Sequence, residues 1–92
     1  MITAKEKKST PVRFTFQAGN GVQKVQLAGD FTSWKPLPMR KQKSGEYVAQ
    51  VDLAPGAYQY KFMVDNHWMT DPNNSNCTMN SYGTLNSVIV VK

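Results

Sequence analysis

The sequence has a single cysteine, Cys77, and a single histidine, His67. One thiol excludes an internal disulfide, and a histidine with no second ligand near it excludes the usual spacings of a zinc site. Acids are also few: Glu6, Asp30, Glu46, Asp52, Asp65 and Asp71, with no local pair among them. Glycoside hydrolysis normally needs two carboxylates across a cleft, so the chain is expected to be non-catalytic. There is no Gly-x-Ser-x-Gly segment and no phosphate loop. No apolar run approaches the roughly 20 residues of a membrane-spanning helix, and residues 1–8 lack the apolar core of a secretory signal. These absences point to a protein without metal or other cofactor, placed in the reducing cytoplasm.

What is present suits one domain with one core, since the chain has 92 residues. Hydrophobic residues make up 40% and charged residues 18%, a globular balance. The net charge of +5 is concentrated locally, with Lys5, Lys7 and Lys8 at the start and Lys35, Arg40, Lys41 and Lys43 after Trp34. Residues 1–10 read as a flexible basic tail, residues 11–92 as the domain, and the segment after Trp34 as a polar loop. No arginine run or metal-knuckle spacing accompanies the charge, so neither nucleic acid nor membrane is an expected partner.

The apolar residues recur with a period of two almost throughout. Val12, Phe14 and Phe16 alternate with polar neighbours, as do Val25 and Leu27. The same holds for Tyr47, Ala49, Val51 and Leu53, and for Tyr58, Tyr60, Phe62 and Val64. That is the pattern of half-buried strands. Val88–Val91 is continuously apolar, as in a strand buried on both faces. Turn residues fall between the runs at Gly19-Asn20-Gly21, Ser44-Gly45, Ala54-Pro55-Gly56 and Asp65-Asn66. No window carries a helical stripe. The expected class is an all-β antiparallel sandwich of about seven strands.

Two tryptophans fit this core poorly. Trp34 sits in a loop-like segment from Gly29 to Pro36, and Trp68 in a short hairpin beside His67 and Met69. Each has two readings. One is an indole folded back to cap the sandwich. The other is an exposed platform whose flat apolar face suits the C–H side of a pyranose ring. Lys61 takes an outward position on the strand that carries Tyr60 and Phe62. It is either solvated surface or a donor to sugar hydroxyls. Asn86, at the start of the last strand, is either a turn residue or such a partner. Spacing alone does not bring these four together.

The ordered motifs add to this reading. Val25-Gln26-Leu27-Ala28-Gly29-Asp30-Phe31-Thr32-Ser33-Trp34 is similar to the "V-x-L-x-G-x-F-x-x-W" opening of the isoamylase N-terminal, or early-set, domains. These belong with the family 48 carbohydrate-binding modules, a group that includes the glycogen-binding module of the AMP-activated protein kinase β subunit. Tyr58–Asp65, continuing to Trp68, resembles "Y-x-Y-K-F-x-V-D-G-x-W", and Asp71-Pro72 matches the "D-P" that follows. Tyr82–Ile89 resembles the closing "L-G-T-x-N-N-x-I".

The resemblance covers roughly residues 14–92 and implies an immunoglobulin-like sandwich that binds α-linked glucan, as in glycogen or starch. It implies that Trp34 and Trp68 stack on glucose units and that Lys61, Thr84 and Asn86 contact the sugar. Tyr82 stands where the family has a leucine that pushes against the glucan. Asn66 replaces a glycine of the hairpin, and Ser87 replaces a second asparagine. The same domain precedes the catalytic barrel of branching and debranching enzymes. This chain therefore resembles a stand-alone or excised module without the barrel. Two other functions stay open: a module that docks on a glycogen-metabolising enzyme, and a weak nucleic-acid binder that uses the tryptophans as stacking platforms.

Overall fold

The computed structural model describes residues 9–92. The chain runs β1 (Thr10–Gln17), β2 (Val25–Gly29), β3 (Leu37–Pro38), β4 (Arg40–Lys41) and β5 (Glu46–Leu53). It continues through β6 (Gly56–Val64), β7 (His67–Met69), β8 (Cys77–Met79) and β9 (Leu85–Val91). All pairings are antiparallel. One sheet has the order β1-β5-β4; the other has the order β3-β2-β6-β9-β8, with β7 also on β6. The expected antiparallel sandwich is the architecture found. Two of the strands beyond the expected seven are only two residues long.

The period-two pattern decides which side chains face inward. Phe14 and Phe16 of β1 and Tyr47, Ala49 and Leu53 of β5 are buried from one sheet. Val25 and Leu27 of β2 and Tyr60, Phe62 and Val64 of β6 meet them from the other. The aromatic rings join the layers. Phe14 stacks on Phe31 at 5.3 Å and meets the Tyr60 ring edge-on at 5.0 Å, while Phe16 lies 5.2 Å from Phe62. Such pairs add to the stabilisation from area burial alone.

Three expectations need correction. The apolar run in β9 is not buried on both faces: Val91 is buried, but Val90 is 54% exposed. β9 packs against the core with one face only, so alternate valines of an apolar run end in solvent. The basic segment after Trp34 is not a simple loop. β3 pairs with β2, and two residues later β4 pairs with β5, so the chain crosses from one sheet to the other. Met39 is the crossing point; it is 7% exposed and its N–H donates to the Val25 carbonyl at 3.0 Å. Thr10, assigned to the basic tail, already belongs to β1, and residues 1–8 lie outside the described part.

Tyr60 joins the core to the Asp71–Asn76 loop. Its ring is 2% exposed, while its hydroxyl donates to Asp71 Oδ2 at 2.7 Å and accepts from Asn74 Nδ2 at 3.0 Å. Asn74 Nδ2 also reaches the Val88 carbonyl at 2.9 Å, and the buried Ser87 Oγ accepts the Asp71 N–H at 2.8 Å. Burial pushes the Tyr60 phenol well above the ordinary tyrosine value. The hydrogen bond from Asn74 lowers it and the one to Asp71 raises it. Folded protein therefore holds this proton when unfolded chain has lost it. The resulting stability is present below about pH 10 and declines above it.

We expect Tyr60→Ala to cost about 3 kcal/mol or more in denaturant unfolding, because it leaves a large void. Tyr60→Phe keeps the ring but strands Asp71 and Asn74, at a cost of about 1–3 kcal/mol. Between pH 9 and 11 the parent's melting temperature should fall more steeply than that of Tyr60→Phe. Parallel curves would assign the alkaline loss to other groups.

Candidate functional site

Three segments meet over the outer face of the larger sheet: the loop after β2, the β6–β7 hairpin and the loop between β8 and β9. They enclose a groove of about 510 Å³. Trp34, Lys61, Trp68, Tyr82, Thr84 and Asn86 all line it, so the six residues singled out in the sequence share one site.

The first segment starts where β2 comes very close to β6. A Cβ on Gly29 would lie 2.6 Å from the Gln59 carbonyl oxygen and 2.8 Å from Tyr60 Cβ, which leaves room for glycine only. A single 3₁₀ turn follows at Asp30–Thr32. The Thr32 hydroxyl accepts the Gly29 N–H at 3.0 Å and donates to the Gly29 carbonyl at 3.1 Å. Ser33 and Trp34 are then left-handed, with φ of 57° and 60°. For side chains of this kind that conformation costs on the order of 1–2 kcal/mol per residue. The turn divides its aromatics: Phe31 packs into the core on Phe14, and Trp34 stays at the groove, half-buried. The Trp34 N–H is held by the Gly29 carbonyl at 2.9 Å, and its indole Nε1–H by Asp30 Oδ1 at 3.1 Å.

Trp68 rides on a two-residue hairpin. Asp65 and Asn66 have φ of 48° and 70°, the doubly left-handed geometry that matches strand twist. Asn66 adopts it in place of glycine, as its side chain allows. Asp65 also fastens the hairpin to the β1–β2 connection, accepting the Gln23 and Lys24 N–H groups at 3.0 and 2.8 Å. Trp68 lies across from Met63 and is 47% exposed. The Trp34 and Trp68 rings stand 6.3 Å apart at 67° to one another. The arrangement is edge-to-face, so the two rings are not coplanar.

The floor between them is polar and hydrogen-bonded. Gln59 and Lys61 point outward from β6 because Tyr60 and Phe62 point inward. Lys61 Nζ donates to Thr84 Oγ1 at 3.2 Å, and Asn86 Nδ2 donates to Gln59 Oε1 at 2.9 Å. Asn80 ties these pairs together, its Nδ2 reaching Thr84 Oγ1 at 2.8 Å and Asn86 Oδ1 at 3.2 Å. Asn80 Oδ1 takes the Tyr82 and Thr84 N–H groups at 2.9 and 3.1 Å, which shapes the loop that carries both residues. Tyr82 projects from its tip, 90% exposed. Asn86 is neither turn nor surface: it sits within β9 and is 5% exposed.

Counting hydrogens shows what this floor offers. Both lone pairs of Thr84 Oγ1 are taken by Lys61 and Asn80, so its own O–H is available to donate. Among the described residues, the Gln59 amide hydrogens and the remaining Lys61 hydrogens have no partner. The groove lining contains no carboxylate. It is a donor-rich surface beneath two indole faces, suited to a neutral, oxygen-rich ligand with apolar C–H faces.

Sequence reasoning missed Gln59 and Asn80 in the lining and Asp30 behind Trp34. Gln59 was open to inference, since it shares the outward face with Lys61. Asn80 and Asp30 act through loop geometry, and nothing in their spacing announces it. Ser87, aligned with a motif asparagine, is fully buried against Asp71 and does not line the groove.

The family described as the glycogen recognition site of AMP-activated protein kinase matches residues 10–92. The 5'-AMP-activated protein kinase subunit beta-1 of Sus scrofa is 37% identical over 92 residues, 99% of this chain and 74% of that sequence. The beta-1 subunit of Mus musculus is also 37% identical over 92 residues, and the beta-2 subunit 34% over 90. This chain spans about a third of each murine subunit, 33% and 31% of their lengths. Among solved structures, a maltogenic amylase from S. marinus is similar with a TM-score of 0.73 and 28% identity, over 89% of this chain and 13% of that one. The chain belongs to the family of the glycogen recognition site of AMP-activated protein kinase.

Proposed function

We propose that the groove binds α-1,4-linked glucan of the glycogen or starch type without altering it. Trp34 and Trp68 act as stacking platforms, Lys61, Thr84 and Asn86 as polar partners, and Tyr82 as a third apolar contact from the loop tip. The observation that carries this reading is two indole rings at 67° beside a hydrogen-bonded polar floor that keeps spare donors on Gln59, Lys61 and Thr84. Each face accepts the C–H side of one glucose, and the angle between them favours a chain that curves. An α-1,4 glucan coils in this way, whereas a β-1,4 chain is flat. The floor donors meet sugar hydroxyl oxygens, a match that selects among rings once stacking has oriented them.

The acids support a role without catalysis. Asp30 is engaged by Trp34 and Gln59, Asp65 by Gln23 and Lys24, and Asp71 by Tyr60 and Asn73. No carboxylate pair faces the groove, and fold kinship with an amylase does not supply chemistry. The relatives are named as kinase subunits, which favours a second role beside the first: docking a partner enzyme onto the same polysaccharide.

Three measurements test this. In affinity gels, glycogen and soluble starch should retard the protein and a cellulose-type polymer should not. The retardation should change little between low and physiological salt, because neutral sugars release no counterions. Equal retardation by both polymers, or a steep salt dependence, would replace the proposal. Incubation with glycogen should release no reducing ends above a heat-killed control. A release abolished by one acid-to-amide substitution would establish an enzyme. Trp34→Ala and Trp68→Ala should each weaken maltoheptaose binding tenfold or more, about 1.4 kcal/mol. Folded variants that bind as tightly as the parent would remove the platforms from the site.

A further inference from the structure

We infer that Asp30 is the positioning residue of the site, the group that fixes the plane of Trp34; this rests on Trp34 being a glucan platform. Asp30 does not line the groove, and its carboxylate acts from behind it. Oδ1 accepts the Trp34 indole N–H at 3.1 Å, and Oδ2 accepts the Gln59 backbone N–H at 2.8 Å. β2 ends at Gly29, paired with Tyr60. One residue later the Asp30 side chain continues the pairing toward β6 that the backbone has given up. The carboxylate is thus clamped to the sheet on one side and holds the indole on the other.

Trp34 needs such a clamp. Its backbone and that of Ser33 are left-handed, a conformation that bulky residues leave unless it is held. Gly29 grips the Trp34 main chain, but an indole on a held backbone still rotates about two side-chain bonds. The bond to Asp30 removes that freedom before ligand arrives, so ordering the ring does not subtract from binding. Trp68 differs: among the described residues its indole N–H has no partner, and it is 47% exposed. The two platforms are therefore unequal, one fixed and one free to adjust. A further consequence is that the Trp34 N–H is occupied and offers the sugar a face only.

The clamp also continues into the floor. Gln59, whose N–H it holds, receives Asn86 on its side chain, and Asn86 receives Asn80. Asp30 thereby places the fixed indole in register with the polar groups across the groove.

Asp30→Asn tests this with little change of volume. The carboxylate faces two donors, and an amide has one oxygen, so it satisfies one of them and sets its own N–H against the other. Maltoheptaose affinity is measured by calorimetry for the parent, Asp30→Asn, Trp34→Ala and the double variant, with a thermal melt of each. The expected result is a loss on the order of tenfold for Asp30→Asn, as for a charge-assisted hydrogen bond, and less than twofold further loss in the Trp34→Ala background. An equal loss in both backgrounds, or none in the parent, overturns the assignment. Trp34→Ala binding like the parent instead overturns the platform reading itself.

A second measurement does not depend on the variant folding. In the unsubstituted protein the Trp34 indole proton, identified by its disappearance in Trp34→Phe, should exchange with solvent more slowly than that of Trp68, with and without glucan. Equal exchange rates show that the clamp does not hold.

Discussion

Consecutive side chains of β6 point to opposite faces of the sheet, and the groove depends on that alternation. Inward, Tyr60 and Phe62 lie between the two layers and are among the most buried residues of the domain. Outward, Gln59 and Lys61 rise into the floor of the groove. A slip of one residue in the register of β6 would exchange the two sets, burying a lysine and exposing two rings. The core therefore holds the floor in place. The register with β2 and β9 is fixed because any other choice loses apolar burial.

The loops around β6 extend the same logic outward. Phe31 packs on the core, and three residues later Trp34 stands at the groove, in a turn too tight for an ordinary backbone. The packing of Phe31 and the hydrogen bonds that tie Gly29, Thr32 and Trp34 together oppose the strain there. On the far side, Asn80 spends both lone pairs and both amide hydrogens within the protein. It shapes the loop that presents Tyr82 and Thr84 and has nothing left to offer a ligand. The groups with capacity to spare toward the groove are those of Gln59, Lys61 and Thr84, whose hydrogen-bonding is only partly used. An arrangement ordered in advance loses less conformational freedom when a flexible oligosaccharide settles on it.

Much of this was legible in the chain. The alternation in β1, β5 and β6 named the inward residues, and Asp65-Asn66 marked the tight hairpin that carries Trp68, whose exposure only the structure showed. Other segments misled because their local pattern answers to something distant. Val90 looks like core and is exposed, since only one side of β9 has a layer packed on it. Leu37–Lys41 looks like polar loop, yet Met39 is buried where the chain passes between sheets. Residues adjacent in sequence there belong to different sheets, and no periodicity records such a crossing.

The chain alone was enough to give the strand class and the two-faced character of β6 and to mark Trp34, Lys61, Trp68 and Asn86; Tyr82 and Thr84 entered only through the resemblance to a known family. This much was legible because pleating, turn conformations and the order of motifs are local properties of the chain. It took the folded chain to show that Trp34, Lys61 and Asn86, held on separate segments, share one surface, that the indoles meet at 67°, and that the Asp30 carboxylate bonds both Trp34 and Gln59. Those facts come from pairing between distant segments. Hydrogen bonds such as Asp30 to Gln59 join residues whose separation in sequence carries no signal, and they form only after the sheets have brought both ends into place.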